Sequence, residues 1–224
     1  MVSETDRESG RAARIEVILF DLGGVLIELT GVESMLAWSE GITSAAELWR
    51  RWLGSEAVRR FETGAIDAEE FAAGVVREFA LPLSPPEFLH AFSAWPRGLY
   101  PGARELLADL APHYRLASVS NTNPLHWDRF IADWALDEVF HHNFPSHQVG
   151  KLKPDSDYFE HVLDAVGAGP ERVLFIDDNI INVEAAAILG IHARCAAGIG
   201  GAREALVELG LLGAPPSAAD LRRR

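Results

Sequence analysis

Ile15-Glu16-Val17-Ile18-Leu19-Phe20-Asp21-Leu22-Gly23-Gly24-Val25-Leu26-Ile27 runs from six mostly apolar, β-favouring residues into a carboxylate and then, one residue on, a glycine pair. An apolar run of this length bounded by turn residues reads as a short buried strand, and the break leaves Asp21 at the strand's carboxyl end. In a parallel α/β sheet helices cover both faces, so the carboxyl ends of the strands are where ligands bind. The plain alternative is a strand followed by an ordinary Asp-containing turn. Three later strand ends bear on the choice.

From about Glu33 to Phe92 the apolar residues keep helical spacing and no strand pattern intervenes. The best-marked unit opens at Asp67, which caps a helix carrying Glu69 and Glu70 in its first turn and Phe71, Val75 and Phe79 along one face. Ser84, ahead of Pro85-Pro86, opens a further helix through Phe88, Leu89 and Phe92. Beyond Pro96 strands and helices alternate with short connections, the pattern of parallel βα units. Strands are expected at Arg115 to Ser120, Val139 to Phe144, Val173 to Ile176 and Ile191 to Ala196. Helices are expected at Ala103 to Leu110, Pro124 to Ala135, after Pro154, at Val183 to Leu189 and at Arg203 to Leu211.

With 224 residues and 48% apolar content, the chain can bury a sizeable core. The segment 1–14 carries six charged groups without periodic apolar positions and reads as a flexible leader, and the Pro/Ala/Arg end as a flexible tail. No apolar run approaches the roughly eighteen residues of a membrane span, and no signal peptide is apparent. A net charge of −13 argues against nucleic acid or an anionic membrane as partner. The single cysteine, Cys195, excludes an internal disulfide, reads as a small buried residue of a strand, and points to the cytoplasm.

The chemistry collects where strands end. Asp21 follows the first strand, Ser120-Asn121-Thr122-Asn123 the second, Lys153 the third after a loop, and Asp177-Asp178-Asn179 the fourth. Converging strand ends would place carboxylates, a hydroxyl and amide cluster and one ammonium in a single crevice. Such a set suits Mg²⁺-assisted phosphoryl transfer, since Mg²⁺ takes carboxylates, waters and a substrate phosphate. Ser120 and Lys153 would meet the other phosphate oxygens, leaving Asp21 to attack phosphorus and form an aspartyl-phosphate.

Phe20-Asp21-Leu22-Gly23-Gly24-Val25, Ser120-Asn121-Thr122-Asn123, Lys153-Pro154 and Phe175-Ile176-Asp177-Asp178-Asn179 resemble, in order and spacing, the four motifs of the haloacid dehalogenase superfamily. The match runs from about Ile15 to Leu211. It is nearest to bacterial sugar phosphatases of the alpha-D-glucose-1-phosphate phosphatase kind, which share a glycine at the Gly23 position. The resemblance implies an α/β fold: a Rossmann-like parallel-sheet core over 15–30 and 97–212, with an inserted helical cap over 31–96, leader 1–14 and tail 213–224. It implies Asp21 as nucleophile and metal ligand, Gly23 as a ligand through its backbone carbonyl, and Asp178 as the third ligand to Mg²⁺. Ser120, Asn121 and Lys153 match phosphate-binding positions. Asp177 is the acid behind Lys153, and Asn182 stands where many relatives carry another Asp.

Gly23 is also the departure. Phosphatases of the superfamily normally carry there the acid that protonates the leaving group and later activates water, and glycine does neither. His126, shortly after the second motif, is a candidate substitute. The leading reading is a Mg²⁺-dependent phosphatase of a small phosphorylated metabolite, a sugar phosphate such as glucose 1-phosphate. A 2-haloacid dehalogenase-type hydrolase and a catalytically silent binding protein are the alternatives, and oligomeric state stays open. Trp38, Trp49 and Trp52 read as core and Trp95 as a candidate to face substrate. His141-His142 reads as structural, and Gly198-Ile199-Gly200-Gly201 as a turn.

Overall fold

The computed structural model describes residues 15–213, so the leader and nearly all of the expected tail lie outside the described residues. Strands β1 (Val17–Phe20), β4 (Arg115–Ser120), β5 (His142–Pro145), β6 (Val173–Asp177) and β7 (His192–Cys195) form one sheet in the order β5-β4-β1-β6-β7. Every neighbouring pair is parallel. Side chains alternate between the two faces as strand geometry requires. Ile18, Phe20, Leu174 and Ile176 pack on one face with Leu106, Leu110 and Leu206. Val17, Leu19, Val173 and Phe175 pack on the other with Tyr158, Phe159 and Val162. The helices that cover these faces include α6 (Ala103–Leu110) and α11 (Gly198–Glu208) on the first, and α9 (Ser156–Val166) and α10 (Ile180–Ile188) on the second. The chain leaves β1 for β4 and β5 on one side and returns to β6 and β7 on the other. The switch point of the topology therefore lies at the carboxyl end of β1, where Asp21 stands.

Helices α1 (Gly31–Trp38), α2 (Ala45–Gly54), α3 (Glu56–Glu62), α4 (Ala68–Glu78) and α5 (Pro85–Ser93) build a separate hydrophobic cluster around Trp52, Phe61, Phe71, Phe88 and Phe92. Asp67 accepts from the Glu70 amide at 2.9 Å, as its capping position predicts. Both crossings between this block and the sheet run through a two-stranded antiparallel ribbon, β2 (Ile27–Leu29) with β3 (Pro96–Leu99). The ribbon is absent from the sequence reading, because Pro96-Arg97-Gly98-Leu99 shows neither alternation nor β-rich composition. Among the described residues no helix is long and apolar enough to cross a membrane.

Three local expectations are corrected. A 3₁₀ turn over 136–138 is followed by irregular backbone and β5 starts only at His142, three residues later than the strand expected from Val139. Cys195 ends β7 and is exposed, since its sheet edge has no further strand to cover it. Gly198 to Gly201 is the start of helix α11 rather than the isolated turn expected, anchored where the Gly198 amide donates to the Gly24 carbonyl at 2.7 Å. The other helix bounds agree within a few residues, except that α10 starts at Ile180 and α11 at Gly198.

Candidate active site

Asp21 leaves β1 in step with its neighbours, its amide donating to the Ile176 carbonyl at 2.9 Å. This register sets its carboxylate beside Asp177, which ends β6. Lys153 reaches in from the loop after β5 and donates from Nζ to Asp21 Oδ1 at 2.8 Å and to Asp177 Oδ2 at 2.6 Å. All three side chains are buried. The loop is held by Asn121, whose amide nitrogen donates to the Lys153 carbonyl and whose amide oxygen accepts from the Lys153 N–H, both at 2.8 Å. Asn121 thus lines the pocket while its side chain fixes the lysine backbone. Asp177 is held in turn, its Oδ1 accepting from the Asn179 amide at 2.8 Å and its Oδ2 from Asn182 Nδ2 at 3.0 Å. With both oxygens occupied, Asp177 orients Lys153 and Asn182 steadies Asp177. Ser120 and Asp178 complete the strand-end set and line the same cavity.

Asp21, Asp177 and Asp178 each bring an oxygen within 4.8 Å of the others. Burial first, then the neighbouring carboxylates, hold Asp21 well above the usual carboxylate range, with Lys153 opposing. Burial and Asp177 likewise push Asp178 up, to about 6. Lys153 stays protonated because the attraction of Asp177 and Asp21 outweighs the burial that acts against its charge. Three carboxyl groups gathered on one ammonium leave hard oxygen donors that a further cation would keep ionised, a set that fits a divalent cation such as Mg²⁺. The Asn182 Oδ1 atom, buried without a hydrogen-bond partner, adds a further oxygen at its edge.

Gly24 makes room for this arrangement. It has φ +75°, and a Cβ there would lie 2.1 Å from Asp178 Oδ2. Gly24→Ala is expected to cost about 1–2 kcal/mol from the backbone alone. It should also push Asp178 aside, lowering activity more than stability predicts. Thermal melts beside turnover check this, and unchanged turnover would free Asp178 from any exact placement.

The family model of haloacid dehalogenase-like hydrolases matches residues 15–190. The chain belongs to the haloacid dehalogenase-like hydrolases. D-ribitol-5-phosphate phosphatase from Bacteroides thetaiotaomicron is 23% identical over 190 residues, covering 80% of this chain and 90% of the relative. The solved structure of a predicted haloacid dehalogenase-like family hydrolase from Porphyromonas gingivalis superposes with TM-score 0.69 and 29% identity, covering 88% of this chain and 98% of the other. A family enzyme from Bacteroides thetaiotaomicron, solved with magnesium and inorganic phosphate, gives TM-score 0.63 and 25% identity over 81% of this chain and 94% of its own. Phosphoric monoester hydrolysis is the reaction class of this hydrolase.

In this haloacid dehalogenase-like hydrolase the strand ends form the floor of a cavity of about 290 Å³. Its opposite wall is apolar and aromatic, with Trp49, Trp52, Phe92 and Trp95 from the helical block or just after it, so the tryptophans of α2 serve both core and cavity. His126 also reaches the wall, but its Nε2 lies 2.8 Å from the Phe92 carbonyl and its Nδ1 3.3 Å from Asn123 Nδ2. Burial pulls its pKa down to about 4, so the ring is neutral and both nitrogens are engaged. The proton-donor role considered for His126 is thereby corrected. At Gly23 a Cβ would meet Leu29 Cδ1 at 2.5 Å, so the leucine of the ribbon fills the space of the missing acid. Sequence reasoning missed one carboxyl in the cavity, Glu62 at the end of α3. Its signal was present: Glu62 follows Val58 and Phe61 at helical spacing, an acid on an apolar face.

Proposed function

We propose that the protein is a Mg²⁺-dependent phosphatase of a small phosphorylated metabolite, a sugar phosphate such as glucose 1-phosphate, working through an aspartyl-phosphate on Asp21. The observation that carries this reading is the Lys153 ammonium clasped by Asp21 and Asp177 at the floor of the cavity. An unprotonated Asp21 oxygen attacks phosphorus, and the ester oxygen leaves on the opposite side. Lys153 keeps its charge throughout, holding the nucleophile and drawing phosphoryl oxygens toward it. Ser120 presents a hydroxyl to the same group. Asp21, Asp178 and the Gly23 carbonyl are the residues that would hold Mg²⁺. When bound, the ion neutralises charge on the phosphoryl oxygens and orients them for in-line attack.

Helices α1–α5 serve in this reading as a cap over 31–96, above a core of 15–30 and 97–212. The tryptophan faces of the wall suit the C–H face of a sugar ring. Cytoplasmic location is part of the same proposal, because Cys195 alone forms no internal disulfide. Phosphate release from a panel of sugar phosphates tests the function, run beside halide release from 2-haloacids. Chelation should lower phosphatase turnover by at least roughly 100-fold, and added Mg²⁺ should restore it. Turnover that survives exhaustive chelation, or halide release in its place, would sink the proposal.

A further inference from the structure

We infer that Glu62 is the general acid and base of this hydrolase, supplied by the helical block in place of a side chain at Gly23. The inference rests on the Asp21 phosphoryl-transfer reading. In-line displacement sends the leaving oxygen away from Asp21, hence away from the strand ends and toward the wall formed by the helices. Among the described residues of α1–α5 that line the cavity, Glu62 is the one with a titratable side chain, the rest being Val32, Trp49, Trp52, Leu53 and Phe92. Glu62 is more than nine-tenths buried, and its Oε2 has no hydrogen-bond partner. A buried carboxyl oxygen left unpaired costs free energy in the resting protein, which a proton transfer to or from substrate would put to use.

The surroundings suit both proton states. Burial raises Glu62 to about 7, while a hydrogen bond from Trp52 and the charges of Lys153 and Arg59 act the other way. The other titratable groups that line the cavity are Asp21, Asp177, Asp178, Tyr100 and neutral His126, and His147 stands on α8 (Ser146–Val149), which packs against α3. Arg59 lies one turn before Glu62 and pairs with Asp155, two residues beyond Lys153, tying α3 to the loop that carries the lysine.

In the first step an Asp21 oxygen forms a bond to phosphorus and the ester P–O bond breaks. Its electron pair stays on the leaving oxygen, which takes the proton of Glu62 and departs as a neutral alcohol. In the second, water attacks the same phosphorus, Glu62 carboxylate takes the water proton, and the P–O bond to Asp21 breaks. Phosphate leaves, with Asp21 and protonated Glu62 restored. Each enzyme group ends as it began.

Glu62→Gln keeps the size of the side chain but carries no transferable proton, and Glu62→Asp tests whether a shortened acid rescues part of the loss. With an alkyl phosphate, E62Q should lose on the order of 10²–10³-fold in kcat/KM, since the alkoxide leaves unprotonated. With an activated aryl phosphate the first step needs little help and only the second lacks its base. E62Q should then release a burst of about one aryl alcohol per enzyme, trap phosphate on Asp21, and turn over slowly. The fall of wild-type kcat/KM above about pH 7 for alkyl phosphates should disappear in E62Q. Equal losses on both esters, no burst, and an unchanged pH limb would make Glu62 a binding or packing residue and overturn the assignment. If rapid acid quench traps no phosphoprotein from wild type or E62Q with any ester, the Asp21 reading fails and takes this inference with it. If both proteins form phosphoprotein and clear it equally fast, Glu62 alone is refuted.

Discussion

Asp21→Asn should reduce turnover by roughly 10³-fold or more while leaving the protein at least as resistant to heat as the wild type. The two halves of this result have separate causes. An amide is no nucleophile toward phosphorus, and Asp21 is the carboxylate that stands at the switch point of the sheet with its oxygen on Lys153. The thermal half follows from burial. Asp21 is held above its unfolded value, so near pH 7 the folded state disfavours the carboxylate that the unfolded chain carries freely. That term costs stability above the unfolded pKa and grows until the pH passes the folded one. Asparagine removes the titration and with it the cost. Lys153 keeps its bond to Asp177 in the variant, so no buried ammonium is orphaned. Turnover against a sugar phosphate and melting curves near pH 7 check both halves. Retention of more than a few per cent of activity would take Asp21 out of the nucleophile's place, and a collapsed melt would show that its charge supports the fold.

Asp21, Lys153, Asp177 and Asp178 were legible in the sequence because each sits where an apolar strand stops or a proline turn begins. Parallel strands bring such endings to one edge whatever lies between them. What each polar side chain touches was not legible in this way. Asn121 stands among phosphate-binding positions in sequence, yet its amide spans the Lys153 backbone, a contact between residues 32 apart in the chain. His126 is an ordinary helix histidine by spacing, and only the arrival of α5, which buries the ring and sets the Phe92 carbonyl against its Nε2, shows why it stays neutral: burial outweighs the pull of that carbonyl toward the charged form. The same limit hid Glu62. Helical periodicity put it on the inner face of α3, but whether that face met core or cavity depended on how the ribbon β2–β3 hung the helical block over the sheet. Leu29 repeats the lesson, since the room it takes from position 23 exists only after the ribbon has formed.

Lys153→Met should damage both stability and turnover, with a pH dependence that identifies the cause. Lys153 is 1% exposed and is the cation between Asp21 and Asp177. Removing it leaves two buried carboxyl groups facing each other, and breaking such a pair from one side costs about 3–5 kcal/mol when the orphaned charge stays ionised. The protein can reduce that cost by protonating Asp21, whose pKa Lys153 holds down in the wild type and which rises further in its absence. Below that raised pKa the folded variant carries a neutral Asp21 and loses less. Above it, both acids ionise and the loss is largest. The gap in melting temperature between wild type and K153M should therefore stay level below about pH 8, where Asp21 is protonated in both folded proteins, and widen above it, where the wild-type Asp21 ionises and that of the variant resists. In wild type the lysine, raised by its partners, stays charged on both sides of that value. Turnover should fall by on the order of 10²–10³-fold on either side of it, because the phosphoryl oxygens lose their fixed cation. Adding Asp21→Asn to K153M removes the orphaned acid, so the double variant should melt above the single one and lose the pH trend. A gap that ignores pH, or a double variant no more stable than K153M, would mean that methionine fails by packing alone and that the two carboxylates never depended on the lysine's charge.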